Sequence, residues 1–443
     1  MQAKFTQGSI LKHISVMTFA STIGLMSLFF VDLVDMYWLS LLGELELAAA
    51  IGYAGSILFF TLSLSIGLSI GCGAIVSQAV GVGDRARTQK TVAHVMLSIV
   101  AITTLVMLVV IFSLDYTLSW LGADGRAFDL AKSYMQIVLP SMPILAVAMA
   151  ASGVMRALGN AKQAMYLTLM GGAVNAVLDP VLIFGFGWGI EGAAAATVIA
   201  RIAMLVYGIW LIKVKNELLG LPDLSCALQD LRAYCQTAIP AALTNLSTPI
   251  GVAYVTAEMA QFGDAAVAGS AIVGKLQPLA FAGLFALSGS VGPITGQNLG
   301  AGQFSRIMET LKQSVLFVFG YCVIACGLLW ILGEPLVLAF KASGESAELI
   351  RWFCWGLSSA FIFNGITFVT NALFNNLKVA HWATVLNFAK ATVFTVPFVW
   401  FGAHYGGPVG ILIGLYVGSI IIALIGLALA YFKIKSLSAG ITE

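Results

Sequence analysis

Long apolar segments separated by short polar loops follow one another along the whole chain. A helix needs about 20 mostly apolar residues to cross the hydrocarbon core of a membrane, whereas a transmembrane β-barrel would show short strands of alternating hydrophobicity. The pattern therefore predicts an all-α integral membrane protein with twelve transmembrane helices. The predicted spans lie near residues 12–38, 48–78, 91–113, 131–155, 163–185, 190–214, 235–260, 267–297, 310–332, 349–372, 382–402 and 408–433.

The second half of the sequence repeats the first. The stretch GLSIGCGAIVSQAVGVGDRAR from Gly67 aligns with ALSGSVGPITGQNLGAGQFSR from Ala286, and GIEGAA at residues 189–194 aligns with GPVGIL at residues 407–412. Each repeat has six spans, an even number, so both repeats enter the membrane in the same sense. An axis along the membrane normal should then relate the two halves, as in alternating-access transporters. We predict two pseudo-symmetric six-helix lobes, an N-lobe over residues 1–214 and a C-lobe over 235–443, joined by a cytoplasmic linker over 215–234.

Charge is scarce and unevenly placed. Only 9% of the 443 residues are charged and 60% are hydrophobic, whereas a soluble protein carries roughly 25% charged residues. The net charge of +2 gives no sign of a nucleic-acid partner. With the amino terminus inside, the cytoplasmic loops hold fifteen Lys and Arg residues and the outer loops four, so the positive-inside rule predicts that both termini are cytoplasmic.

Four acidic residues lie inside predicted spans, where a charge costs about 2.5–3.5 kcal/mol and usually serves ion or substrate handling. They are Asp32, Asp35, Asp179 and Glu258, and three of them lie in the first half. Asp32 and Asp35 are three residues apart and share a helix face, where two carboxylates cannot both ionise cheaply. Glu258 lies near the outer end of span 7 and is expected at the interface. The first half is thus predicted to handle the ion.

Span 5 carries a second polar group. Asn175 and Asp179 are four residues apart on one face, and Pro180 follows directly. A proline inside a span removes a backbone hydrogen bond and opens a kink, so Asp179 is either an ion-coupling acid or a cap for that kink. Asn175 is either its partner or an interhelical hydrogen-bonding group. Thr197 on span 6 is a further candidate, although such threonines often bond their own backbone.

Three basic residues also lie inside the predicted spans. Arg201 either neutralises one of the acids or reaches toward the cytoplasmic surface. Lys275 and Lys390 either line a site for an anionic ligand or extend to an interface. Tyr134 on span 4 and Arg201 are the candidates for lining a substrate cavity.

Two stretches resemble signatures of the multidrug and toxic compound extrusion (MATE) family. LVDMYWLSLLGELELAAAIG from Leu33 is similar to the first-span motif, and residues 171–201 are similar to the span 5–6 signature of the DinF-like branch. The resemblance implies a bacterial inner-membrane antiporter in which inward proton flow drives export of lipophilic or cationic drug-like compounds. It implies a monomer surrounded by membrane lipid, with no cofactor. The coupling residues it implies are Asp35, Asn175, Asp179 and Thr197. Asp32 stands where many relatives have asparagine, so the chain holds either an extra titrating group or a tighter hydrogen-bonded pair.

One departure from the family concerns the first span. Relatives usually carry a proline fifteen residues before the first-span aspartate, and this chain has Ala20 there. The internal repeat points to the same position, because the register that aligns Gly43 with Gly263 also aligns Ala20 with Pro240. Alanine keeps the backbone hydrogen bond that a proline would remove, so span 1 should resist bending at Ala20. Pro180 is the second hinge candidate.

Sodium coupling and a lipid-precursor flippase remain as alternatives, whereas an enzyme and a channel are disfavoured. Sodium could replace the proton, because carboxylate and amide oxygens also suit a hard cation. A lipid-precursor flippase of the same superfamily is less favoured, because such proteins usually have additional spans and a basic central cavity. An enzyme is not predicted, since the sequence has four scattered histidines, no metal-ligand cluster and no Walker-type phosphate loop. A channel is disfavoured by the two-lobed repeat.

Overall fold

The structure, a computed structural model, describes residues 3–40, 45–220 and 223–439, and its regular elements within those ranges are helical. The first half contains α1 Ile10–Ser40, α2 Leu45–Val82, α3 Arg85–Phe112, α4 Leu114–Trp120, α5 Gly125–Val138, α6 Met142–Ala157, α7 Ala161–Pro180 and α8 Gly189–Trp210. The second half contains α9 Leu224–Ala260, α10 Asp264–Ala280, α11 Ala282–Gly300, α12 Phe304–Ala339, α13 Gly344–Trp355, α14 Phe361–Asn376, α15 Ala380–Ala389 and α16 Thr395–Ala439. Short 3-10 and π turns connect several of them.

The helices account for the twelve predicted spans. Within the described ranges, ten segments are long and apolar enough to cross a membrane, and α10 with α11 forms an eleventh that is bent by 47°. The last of the ten covers 60 residues, which would extend about 90 Å, three times the hydrocarbon thickness. The backbone leaves the helical conformation at Gly407, and a methyl group on Gly410 would lie 2.1 Å from the Gly402 carbonyl oxygen. The chain therefore reverses at Gly407, and the prediction of an all-α, twelve-span protein is confirmed.

Contacts divide the chain into two compact units that differ from the predicted lobes at the first helix of each half. Unit 1 comprises Ile23–Ala242, and unit 2 comprises Ala3–Thr22 together with the chain from Leu243 onwards. The beginning of α1 thus packs with the second half, and the described part of the linker and the beginning of α9 pack with the first half.

Two glycines one turn apart allow α9 to lie against α2 in unit 1. A Cβ on Gly67 would lie 2.3 Å from the Ala242 Cα, and a Cβ on Gly71 would lie 2.8 Å from the Ala238 Cα. Tyr234, which is fully buried, donates a hydrogen bond to the Leu68 carbonyl (3.1 Å). Because any larger side chain at either glycine would overlap the α9 backbone, the small residues permit this close packing.

Repeat-related arginines bind the beginning of α9 and the segment that precedes α1. Arg87, near the beginning of α3, forms an ion pair with Asp230 in unit 1. Arg306, near the beginning of α12, donates to the carbonyl groups of Phe5 (2.9 Å) and Gly8 (3.0 Å) in unit 2. The same position of the repeat thus performs the same task in each unit.

The linker is held to α3 by further polar contacts. Lys90 pairs with Asp223 (2.9 Å). His94, which is buried, accepts at Nε2 from the backbone N–H of Asp223 (3.0 Å) and donates from Nδ1 to Asp230 (2.6 Å). Since Asp230 is itself buried, its carboxylate depends on Arg87 and His94 for compensation.

The turns of the two units repeat in the register of the sequence. Five glycines of unit 1 with positive φ have a positive-φ counterpart in unit 2, and each pair matches an aligned position of the repeat. The pairs are Gly83/Gly302, Gly122/Lys341, Gly125/Gly344, Gly159/Lys378 and Gly189/Gly407. Lys341 (φ 49°) and Lys378 (φ 61°) thus adopt a conformation that costs a residue with a Cβ about 1–2 kcal/mol.

Replacing the exposed Lys378 by glycine should raise the free energy of unfolding by up to about 1 kcal/mol, because glycine adopts positive φ without a steric cost. The measurement is the midpoint of thermal unfolding of the purified protein in detergent. Lys378→Ala is the matched control, since it removes the same side chain and keeps the Cβ. Equal midpoints for the two variants would show that backbone strain at residue 378 is not the cause.

Replacing Asp230 by asparagine should loosen the linker, because a charge-assisted hydrogen bond contributes about 1.5–3 kcal/mol. The rate of trypsin cleavage in the linker measures this and should increase severalfold. Glu217→Gln removes the exposed ion pair with Arg85, which contributes at most about 1 kcal/mol, and should leave the rate nearly unchanged. Similar cleavage of both variants would contradict the assignment.

Candidate ion-coupling site

Asn175 and Asp179 form a buried hydrogen-bonded pair on α7. Asp179 is 1% exposed and Asn175 is 8% exposed, and the Asn175 Nδ2 donates to the Asp179 Oδ1 at 3.0 Å. The predicted four-residue spacing thus places both side chains on one face of the helix. A buried carboxyl group needs hydrogen-bond partners in place of water, and the Asn175 amide supplies one to Asp179.

The helix changes its winding directly after this pair. α7 ends at Pro180, and a π turn over Val181–Gly185 follows. Proline removes the N–H that would bond the carbonyl of Ala176, and an ionised carboxylate can only accept hydrogen bonds. Asp179 could therefore serve that carbonyl only when protonated. π turns within helices occur often at functional sites, which makes the neighbourhood of Pro180 a candidate for one.

The second part of α1 runs beside α7 within unit 1. A Cβ on Gly172 would lie 3.0 Å from the Val31 side chain, and the rings of Trp38 and Phe184 meet edge to face with centroids 5.9 Å apart. Val31 precedes Trp38 on α1, and Gly172 precedes Phe184 on the other segment, so the two segments are parallel.

These two contacts enclose the predicted coupling residues. At about 1.5 Å per residue, position 35 lies about 6 Å beyond the Val31 contact, and Asn175 and Asp179 lie about 4.5 and 10.5 Å beyond Gly172. The α1 backbone at position 35 is therefore level with the Asn175–Asp179 pair. The side chains of Asp32 and Asp35 lie outside the described residues.

The remaining first-half candidates lie on neighbouring helices. Thr197 is half-buried on α8, which packs along α7. Arg201 on the same helix donates to the Ser141 hydroxyl (2.8 Å) and to the Val138 carbonyl (3.3 Å). Its guanidinium thus ties α8 to the turn between α5 and α6. Tyr134 is half-buried and packs against a cluster of apolar side chains in unit 1.

Ala20 lies where α1 leaves one unit and joins the other. The residue is 6% exposed, and the helix is continuous from Ile10 to Ser40. Two residues before Ala20, the Thr18 hydroxyl donates to Ser290 of unit 2 (3.0 Å), and unit 1 begins at Ile23. Its repeat counterpart, Pro240, lies just before the corresponding boundary in α9.

Unit 2 contains polar contacts that the sequence did not reveal. The Lys390 ammonium donates to the Asn364 side chain, whereas Lys275 is exposed. Asn387 donates to Asn371 at 3.0 Å. The spacing of Asn364 and Asn371, two turns apart on one helix face, is the signal that could have pointed to this cluster.

Glu258 lies near the end of α9. It is buried there, and the Gln261 side chain donates to it at 2.9 Å. In the part of the chain that the structure describes, no group of three or more His, Cys, Asp or Glu residues could hold a metal ion.

Comparison with known proteins identifies the family. The MatE family profile matches residues 20–181 and 240–401, one match in each repeat. The FAD transporter of Shewanella oneidensis is 27% identical over 94% of this chain and 92% of its own length, and the multidrug export protein MepA of Staphylococcus aureus is 20% identical over 99% and 97%. A crystal structure of a mutant of the Vibrio cholerae MATE transporter VcmN superposes with a TM-score of 0.90 and 27% identity over 99% of both chains. The protein therefore belongs to the MatE family of multi-pass membrane transporters, which export drugs and toxic compounds and are not enzymes.

Proposed function

We propose that the protein is a proton-coupled antiporter that exports lipophilic and cationic compounds across the bacterial plasma membrane, with both termini in the cytoplasm. The observation that carries the proposal is the buried Asn175–Asp179 pair on α7, level with position 35 on the parallel helix α1. Three acidic positions thus fall within one short stretch of two adjacent helices. Such groups inside a membrane typically serve ion coupling.

Protonation would change this site in a defined way. A hydrogen bond to an ionised carboxylate is roughly twice as strong as one between neutral groups, so protonation of Asp179 weakens its bond with Asn175. Protonation of Asp35 removes a further negative charge at the same level, with Asp32 as an additional group. Loss of this charge lowers the affinity for a cationic substrate and releases it outside. Deprotonation toward the cytoplasm restores the site.

The membrane potential supplies enough energy for this exchange. Moving one charge through 100 mV contributes about 2.3 kcal/mol, which corresponds to a roughly 50-fold concentration ratio of substrate for each proton. A proton is therefore a sufficient energy source. Sodium is the alternative coupling ion, because the same carboxylate and amide oxygens suit a hard cation.

An anionic organic substrate is the second candidate. One relative is named as an FAD transporter, and FAD carries two phosphate groups. The observation that favours this class is Lys390, a basic residue inside a span of unit 2 whose partner is the neutral Asn364. Transport of FAD by proteoliposomes containing the purified protein tests this candidate directly.

Asp35→Asn and Asp179→Asn should each reduce transport driven by a pH gradient at least tenfold, because asparagine has a similar shape and cannot release a proton. The measurement is transport of a fluorescent cationic drug into proteoliposomes under pH and sodium gradients imposed separately. Glu258→Gln is the matched control, since it neutralises another buried acid that pairs with Gln261. Full transport and unchanged proton release in Asp35→Asn would rule out its coupling role, and transport that follows sodium alone would replace the proton.

Ala20→Pro should alter coupling, because it removes the hydrogen bond from residue 20 to the Val16 carbonyl and permits α1 to bend. We expect a changed pH dependence of transport and a changed distance between spin labels at the two ends of α1. Ala20→Ser keeps the N–H and serves as the control. If Ala20→Pro leaves both the pH profile and the label distance at wild-type values, residue 20 has no part in coupling.

A further inference from the structure

Lys390 is a basic residue in an apolar part of unit 2. Its ammonium donates to the Asn364 Oδ1, and Asn364 is 9% exposed. Among the described residues, Lys390 forms no ion pair with an acid. An ammonium has three N–H donors and no acceptor, so one neutral amide oxygen satisfies one donor and leaves the charge without a counter-ion.

Lys390 lies far from both ends of its span, because the chain reverses at Gly407, about 25 Å further along the helix. It follows the beginning of α15 at Ala380 by ten residues, which is about 15 Å or half the hydrocarbon thickness. Asn364 precedes the end of α14 at Asn376 by twelve residues, about 18 Å. A lysine so deep is costly and typically lies on a substrate or ion pathway. It is too far from an interface for its side chain to reach the headgroups.

Neutral hydrogen-bonding groups accompany Lys390. Asn387, three residues earlier and on the same face, donates to the Asn371 Oδ1 at 3.0 Å. That bond leaves the Asn371 amide nitrogen available as a donor. Asn364 and Asn371 are two turns apart on one face of α14, so they and Asn387 form a short polar row beside the lysine. The row supplies N–H donors and contains no carboxylate.

The backbone and the repeat both mark this position. Lys390 is the first residue of a π turn over Lys390–Phe394, a conformation common at functional sites. The register that aligns Gly67 with Ala286 relates Lys390 to Gly171 on α7, where a Cβ would lie 2.3 Å from the Met204 sulfur. In unit 1 the Met204 side chain occupies the space next to this place. Of the two repeat-related segments, α7 carries the acid Asp179, and the segment that begins with α15 carries the base Lys390.

We propose that Lys390, beside Asn364, binds an anionic group, a carboxylate or phosphate, of the transported molecule. The anion accepts from the ammonium and supplies the counter-charge that Asn364 does not, and the amide of Asn371, about 10 Å from Asn364 along α14 and bonded to Asn387, can donate to another part of the same molecule. Such charge-assisted bonds are strong in a low-dielectric site. This inference rests on the proposed export function and names a chemical class of substrate for it.

The test removes one charge from the ligand and one from the protein. The probes are a fluorescent fluoroquinolone, which carries a carboxylate, and its methyl ester, which differs by that charge. Binding to the purified protein in detergent is measured by fluorescence without any ion gradient. Lys390→Gln should weaken binding of the acid about tenfold and binding of the ester less than twofold, and Lys390→Arg should retain most of the affinity.

Lys275→Gln, which neutralises the exposed lysine of α10, is the matched control and should bind both probes as the wild type does. Thermal unfolding of each variant confirms that it is folded. Equal weakening of acid and ester in Lys390→Gln would assign the lysine a structural role and overturn the proposal. Equal affinity of the wild type for the two probes, or binding of neither, would also overturn it. Because binding is measured without a gradient, the two proposals fail independently. Loss of proton-driven transport would refute the proposed function and would not change the binding result.

Discussion

A charged group inside an apolar helix bundle is retained only where neighbouring side chains replace the hydrogen bonds of water, and this constraint governs the functional parts of the molecule. Asp179 receives a bond from Asn175, and Arg201 is satisfied by the Ser141 hydroxyl and a backbone carbonyl. Lys390 has one amide oxygen. Arg201 joins neighbouring helices through its two acceptors, whereas Asp179 and Lys390 are the candidates for exchanging a proton and a ligand.

The sequence predicted what local spacing determines. Apolar length gave the twelve spans, the repeat gave equivalent turns, and the interval between Asn175 and Asp179 placed them on one face. Contacts between distant segments were not predictable in this way. The partners of Arg201 and Lys390 come from other helices, and the π turns that follow Pro180 and begin at Lys390 have no distinctive composition. The assignment of the first turns of α1 to unit 2 likewise depends on side chains from the other half of the sequence.

The first helix connects the two units through its own length. Residues 10–22 of α1 belong to unit 2 and the following residues belong to unit 1, so one continuous helix carries both the contact with Ser290 and the stretch level with Asp179. α9 has the same division at Ala242. The continuous helix α1 thus contributes residues to each unit, and Ala20 lies three residues before unit 1 begins at Ile23.

The first turns of α1 pack in unit 2, and the beginning of α9 packs in unit 1. This arrangement has a consequence for how the chain assembles during synthesis. Phe5 hydrogen-bonds to Gln297 and Arg306, so the segment before α1 meets the first of these partners only after 292 further residues have been made. At about 5–20 residues per second this delay is about 15–60 s. During that time the segment before α1 lacks these partners, and unit 1 can be completed first, once the beginning of α9 has been made.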